Sequence, residues 1–211
     1  MATFGKGRTY TSEEVEQLLQ LQLQNFTTLG VSSEILQEFV KRKDGLIKAV
    51  TQLAMKEHIV PFLLVIPTKV VPFMQQVPWV KRDGVPCTFY RNEHDLWDTV
   101  KTPWIPYFLI NVEPGRAMRG KSVEEAEILF KKHQRFPLTL VECMALCVHY
   151  NTLSHEQWID AAGSRIRDTQ VSEMVPDIFC SSSGSPHIGK VFYDGVLKWS
   201  GAPSCGLRKI K

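Results

Sequence analysis

A chain of 211 residues, 44% hydrophobic and 22% charged, is long enough for one domain with a sizeable core. A net charge of +3 is too small to imply a nucleic-acid partner, and no apolar run approaches the roughly 18 residues that a membrane span needs. The polar start does not read as a signal peptide. Cys87, Cys143, Cys147, Cys180 and Cys205, an odd set without framework spacing, read as free thiols of a reducing cytoplasm.

Residues 1–11 read as a disordered lead-in, and 12–211 as a single α+β domain. Thr11-Ser-Glu-Glu14 is a capping box, in which the hydroxyl and the carboxylate each satisfy a free backbone donor at the helix start. Val15, Leu19, Leu23 and Phe26 then recur at helical spacing until Gly30 ends the helix. A second helix carries Ile35, Leu36, Phe39, Val40, Leu46, Ile47, Val50 and Leu53, with Gly45 expected to kink it. Each has one apolar face, so this helical hairpin must lie against something else.

Phe62–Ile66 and Ile105–Val112 are continuous apolar runs of strand length, expected to be buried. Between them, Val71–Val77 predicts a short helix with Pro72 in its first turn. Cys87–Tyr90 predicts a short strand. The long polar stretch around them holds Glu93, His94, Asp95 and Asp98, whose spacing does not make a convincing metal site. Val123–His133 predicts a helix. Thr139-Leu-Val-Glu142 is a capping box opening a second helix to Tyr150, apolar on nearly all sides and therefore buried. Ser154-His-Glu-Gln157 reads as a further capping box before a turn at Trp158-Ile159, and Gly163-Ser-Arg165 as a loop. Asp177–Cys180 is a strand, and Asp194-Gly195 between Lys190–Tyr193 and Val196–Trp199 predicts a type I′ hairpin closing an antiparallel meander.

One motif carries nucleotide chemistry. Gly115-Arg-Ala-Met-Arg-Gly-Lys-Ser122 fits the P-loop pattern between a strand and a helix. Against that reading, Ser122-Val-Glu-Glu125 is itself a capping box, and Glu124 and Glu125 place negative charge where a triphosphate would sit. No later apolar run ends in the Asp that would hold Mg²⁺. Cys143 and Cys147 share a helix face near His149, which suits a buried helix using cysteine as a small hydrophobe better than a metal. Cys180, Cys205 and His187 hold the ingredients of a thiol nucleophile with its base, without any local signature.

Phe62-Leu-Leu-Val-Ile-Pro67, Asn111-Val-Glu-Pro-Gly115, Pro137-Leu-Thr-Leu-Val-Glu142, Gly163-Ser-Arg165 and the closing stretch to Ser204-Cys205 resemble an uncharacterised, largely actinobacterial family carrying a domain of unknown function. The resemblance implies a full-length domain in a bacterial cytoplasm and implies no activity. The family pattern lacks Gly-Lys-Ser after Gly115, so the P-loop match is a departure peculiar to this chain.

The expected fold is α+β. It has a mixed or antiparallel sheet ending in a C-terminal meander, helices on one face and an N-terminal helical hairpin. Two functions remain, with catalytic residues unassigned. One is a non-enzymatic binding or interaction module without cofactor or metal. The other is a phosphate- or nucleotide-binding enzyme holding ATP or GTP with Mg²⁺ through Gly115, Arg116, Arg119, Gly120, Lys121 and Ser122. An anionic small molecule and a second copy of the chain fit as partners; a membrane does not, and the local basic clusters are weak grounds for nucleic acid. Whether Arg116, Arg119 and Arg165 meet in one pocket is the open structural question.

Overall fold

The computed structural model describes residues 7–56, 58–150, 152–153, 157–168 and 174–209, and its fold is α+β. In chain order the elements are α1 (Ser12–Thr28), α2 (Ser33–Val40), α3 (Lys43–Thr51), β1 (Val60–Val65), α4 (Phe73–Gln76), β2 (Lys81–Arg82), β3 (Val85–Pro86), β4 (Leu96–Asp98), β5 (Tyr107–Val112), α5 (Val123–Lys132), β6 (Phe136–Pro137), α6 (Leu140–His149), β7 (Trp158–Asp160), β8 (Ser164–Ile166), β9 (Met174–Cys180), β10 (Pro186–Phe192), β11 (Ser200–Gly201), β12 (Ser204–Cys205) and β13 (Leu207–Lys209).

Local chemistry sets the helix ends. Thr11 with Glu14, Ser122 with Glu125 and Thr139 with Glu142 each form a reciprocal capping box. Gly30, at φ +80°, ends α1. The second helical stretch breaks between Val40 and Lys43, and Gly45 lies inside α3 rather than at the break. Arg42 explains the position. Its guanidinium donates back to the Glu38 carbonyl at 2.6 Å and out to the Pro106 carbonyl at 2.7 Å. Near the start of the described chain, Arg8 pairs with Met55.

The first sheet has the order β1-β5-β13, antiparallel throughout. Phe62, Leu64, Phe108 and Ile110 face Val15, Leu19, Leu23 and Phe26 of α1 and Leu46 and Val50 of α3. Leu63, Val65, Tyr107 and Leu109 face α6. A sheet covered on both faces needs apolar residues at every position, which is why β1 and β5 read as unbroken runs. The outer edge of β1 is closed by a side chain. Gln22, buried in α1, donates to the Phe62 carbonyl at 3.1 Å and accepts from the Leu64 N–H at 2.9 Å, as a neighbouring strand would.

The second sheet is centred on β9. β10 pairs with β9 on one side. β7 and β8 pair with it on the other, with β11 parallel to β7 and β4 antiparallel to β8. The antiparallel meander is therefore β8-β9-β10. The expected helices are present and divide between two layers. α6, apolar nearly all round, is buried between the sheets, whereas α5 lays Val123, Ala126 and Phe130 on Ala162, Val175, Val191 and Ala202 of the far face.

Four local expectations are corrected. The hairpin turn of the meander is at 181–185, where Gly184 has φ +87°. Gly195 lacks the positive φ of a type I′ turn, and 196–199 form no strand, because β11 pairs with β7 instead of β10. Trp158–Asp160 and Ser164–Ile166 are strands; the apolar Ile159 and Ile166 need the inner face of this sheet. Cys87–Tyr90 contributes only an isolated bridge from Thr88 to His187. The Ser154–Gln157 capping box falls mostly on 154–156, outside the described residues.

A buried ion pair ties the layers. Glu142, at 0% exposure, accepts from Arg208 Nε at 2.6 Å and Nη2 at 2.7 Å, from the Tyr107 hydroxyl at 2.8 Å and from the Thr139 N–H at 2.8 Å. All its lone pairs are engaged, which is the condition for holding a charge out of water.

A candidate anion-binding cleft

The loop between β5 and α5 is held by its own chain. Glu113, buried at the end of β5, turns its carboxylate under the loop and accepts from the N–H groups of Gly115 and Ala117, both at 3.0 Å. Gly120 N–H donates to the Ser200 carbonyl, Ser122 N–H to Glu125, Glu124 N–H to the Tyr193 carbonyl and Glu125 N–H to the Ser122 hydroxyl. In a P-loop these backbone donors face phosphate. Here protein acceptors occupy them, and the Glu113 carboxylate stands in an anion's place. β5 is also antiparallel to both its neighbours, unlike the strand of a parallel βαβ unit.

The same loop sends two side chains outward. Arg116 and Arg119 meet Gln157, Trp158 and Trp199 around a cleft of about 390 Å³, floored by Gly115 and Gly201. Glycine is required at the floor. Gly115 has φ +96°, and a Cβ there would stand 2.7 Å from the Gly201 carbonyl oxygen. Arg119 lies 5.7 Å from the Trp199 ring centroid, in cation–π range. The Trp158 indole N–H is buried without an acceptor. Trp158 also starts an aromatic row across the sheet, 5.1 Å from Phe179, which is 5.7 Å from His187.

Among the described residues no carboxylate lines this cleft. Three larger clefts, of about 560, 680 and 410 Å³, each have at least one, respectively Glu93 and Asp98, Glu14, and Glu113. The tryptophans went unread in the sequence because they come from 158 and 199, brought beside 115–119 only by the pairing of β11 with β7.

The other candidates separate. Arg165 does not join Arg116 and Arg119. It donates to Glu127 at 2.8 Å and lies over the Tyr193 ring, pinning α5 to the sheet. Glu93, His94 and Asp98 line one cleft, but Asp98 accepts from the Ser164 hydroxyl at 2.6 Å, and no three of His, Cys, Asp and Glu cluster as a metal site among the described residues. All five cysteines are buried and free. Burial pushes the Cys87, Cys147 and Cys205 thiols up to about 12, far from the thiolate a nucleophile needs. Cys143 and Cys147 lie in the core between the sheets, whereas His149 packs edge-on against Phe26 on the α1 side. Cys180 and His187 are on opposite faces of the β9–β10 pair, since Cys180 faces Pro186 in register and His187 faces Phe179.

No helix of the described residues is long and apolar enough to cross a membrane. Comparison with curated proteins and with solved structures gives no significant match. A family model does match, over residues 17–211, and with nearly the whole chain covered the protein belongs to DUF5701, a family of unknown function.

Proposed function

We propose that the protein is a non-enzymatic binding module whose cleft at Gly115–Arg119 takes a small organic anion bearing a flat ring. The observation that carries this reading is the composition of the cleft. It has two guanidinium groups and two indole rings, with no carboxylate among its described lining residues. Guanidinium groups give carboxylate or phosphate strong, charge-assisted hydrogen bonds, and tryptophan faces accept a ring. A volume of about 390 Å³ suits a small ligand. The alternative, an enzyme holding ATP or GTP with Mg²⁺ through Gly115, Arg116, Arg119, Gly120, Lys121 and Ser122, requires the loop's backbone donors to leave their present partners.

Tryptophan-fluorescence titration with inorganic phosphate, phenyl phosphate and AMP, each with and without Mg²⁺, separates the two. The expected result is tighter binding of the two ring-bearing anions than of phosphate, indifferent to Mg²⁺. Arg116→Ala should weaken it about ten-fold or more, the worth of one charged hydrogen bond. Binding that needs Mg²⁺ and disappears in Lys121→Ala establishes the nucleotide enzyme instead, and no binding of either ring-bearing anion at millimolar concentration removes the cleft reading.

A cytoplasmic setting belongs to the same proposal and rests on five buried free thiols. Mass spectrometry of the unreduced protein should find no intramolecular disulfide; finding one removes that setting.

A further inference from the structure

Six buried side-chain polar atoms among the described residues lack a hydrogen-bond partner, and four of them are Trp158 Nε1, Asp160 Oδ1, Asp177 Oδ1 and Ser200 Oγ. These four come from β11, β7 and β9, which are neighbours in one sheet. Native interiors satisfy nearly all such atoms, so a concentration of orphans marks the place of an absent group.

The register fixes their geometry. Asp160 is opposite Asp177 across β7 and β9, and Ser200 is opposite Trp158 across β11 and β7, so all four share one face. Opposite residues on antiparallel strands hold their Cβ atoms about 4.5–5.5 Å apart, close enough for two carboxylates to reach one small ion at about 2.0–2.1 Å. Asp160 and Asp177 are each 3% exposed and Ser200 is 1% exposed. The Ser200 hydroxyl lies against Asp160 and lowers its carboxyl, against the larger effect of burial. Gly189, in register with Asp177, leaves the space that the Asp177 carboxylate leans into, since a Cβ there would stand 2.9 Å from Oδ1. Two like charges buried side by side require neutralisation. Burial raises the Asp160 carboxyl to about 6, and burial with the repulsion of Asp160 raises Asp177 to about 7.

We propose that Asp160, Asp177 and Ser200 form a buried site for a hard divalent cation of the Mg²⁺ or Mn²⁺ class. Carboxylate and hydroxyl oxygens suit such ions, and with few protein ligands the ion keeps part of its water, as Mg²⁺ commonly does. The orphan indole N–H of Trp158, on the same face, is a donor and so has no place among the ligands. The site is separate from the anion cleft, and either can stand without the other. A bound ion would tie β7, β9 and β11 together, and β11 in turn holds the loop through the Gly120 N–H on the Ser200 carbonyl.

The test takes the full chain, stripped of metal with EDTA, and titrates it with Mn²⁺ alone under paramagnetic resonance, with Trp158-sensitised Tb³⁺ luminescence as a second readout. One saturable Mn²⁺ site is expected, displaced by Mg²⁺ and raising the melting temperature of the parent. Asp160→Asn and Asp177→Asn should each weaken Mn²⁺ binding by about 100-fold, and the milder Ser200→Ala should weaken it less. Absence of saturable Mn²⁺ binding to the folded parent overturns the proposal, as does binding that survives both Asp variants. If the two carboxyls merely share a proton, no binding is seen and Asp177→Asn melts above the parent at neutral pH.

Discussion

His149 shows how one side chain's surroundings set its chemistry. It is a partly exposed residue whose Nε2 is nevertheless buried and unpaired, with Nδ1 at 3.4 Å from Asn25 and its ring 4.5 Å from Phe26. Burial lowers its value from 6.5 to about 3. The folded state therefore keeps it neutral, while the unfolded chain takes up a proton below pH 6.5. Stability falls as pH drops from about 6.5 toward about 3, by at most about 1.4 kcal/mol per unit. Asp160 and Asp177, with raised values, act in the opposite direction between their ordinary 3.8 and about 7, so the quantity to read is a difference. Urea denaturation of parent and His149→Gln between pH 7 and 5 should show a flatter acid loss in the variant. Equal slopes would mean that His149 protonates in the folded state. At this scale the sequence reported the capping boxes at Thr11, Ser122 and Thr139 faithfully, because each involves residues three apart. It was silent on Glu113, whose role depends on the left-handed turn at Gly115 curling the loop over its carboxylate.

Elements were legible wherever one local signal dominated. α1, α5, α6, β1 and β5 follow from caps, periodicity and unbroken apolar runs. Short strands were less so. β7 and β8 each have three residues, too few to display a period, and their place is decided by β9. The Asp194-Gly195 signal failed because the segment after it had a parallel partner in β7 rather than an antiparallel one in β10. Helix α1 carries a buried polar residue that an apolar period does not report. Gln22 replaces a missing strand at the edge of β1. Gln22→Leu keeps the bulk but strands the Phe62 carbonyl and the Leu64 N–H. It should cost roughly 2–6 kcal/mol, since each of the two orphaned backbone groups costs about 1–3. Guanidinium-chloride denaturation measures this. A loss below about 0.5 kcal/mol, the ordinary effect of a surface change, would mean that water replaces the amide at the strand edge.

The whole molecule is organised by contacts between distant parts of the chain, which no local pattern reports. The anion cleft needs residues 115–119 beside 157–158 and 199–201, and only the order of the second sheet brings them together. The same logic governs stability at the C-terminal end. β13 completes the first sheet beside β5, Arg208 neutralises Glu142 of α6, and Lys209 donates to the Gly45 carbonyl of α3 at 2.8 Å. Three residues thus join the sheet to the helical layers on both of its faces. Arg208→Ala leaves Glu142 charged and unpaired in the interior and should cost about 3–5 kcal/mol. Replacing the pair together, as Arg208→Met with Glu142→Leu, removes the stranded charge and should recover most of that loss, although the Tyr107 hydroxyl and the Thr139 N–H then lose their acceptor. Deleting residues 207–211 removes the ion pair, the strand and the Lys209 tie together. Against a total stability of about 5–15 kcal/mol, that deletion should leave a protein without a sharp thermal transition near the parent's. The decisive comparison is calorimetric. A truncated chain that melts cooperatively within a few degrees of Arg208→Ala would show that β13 adds nothing beyond its arginine, and the layers would then have to be held together elsewhere.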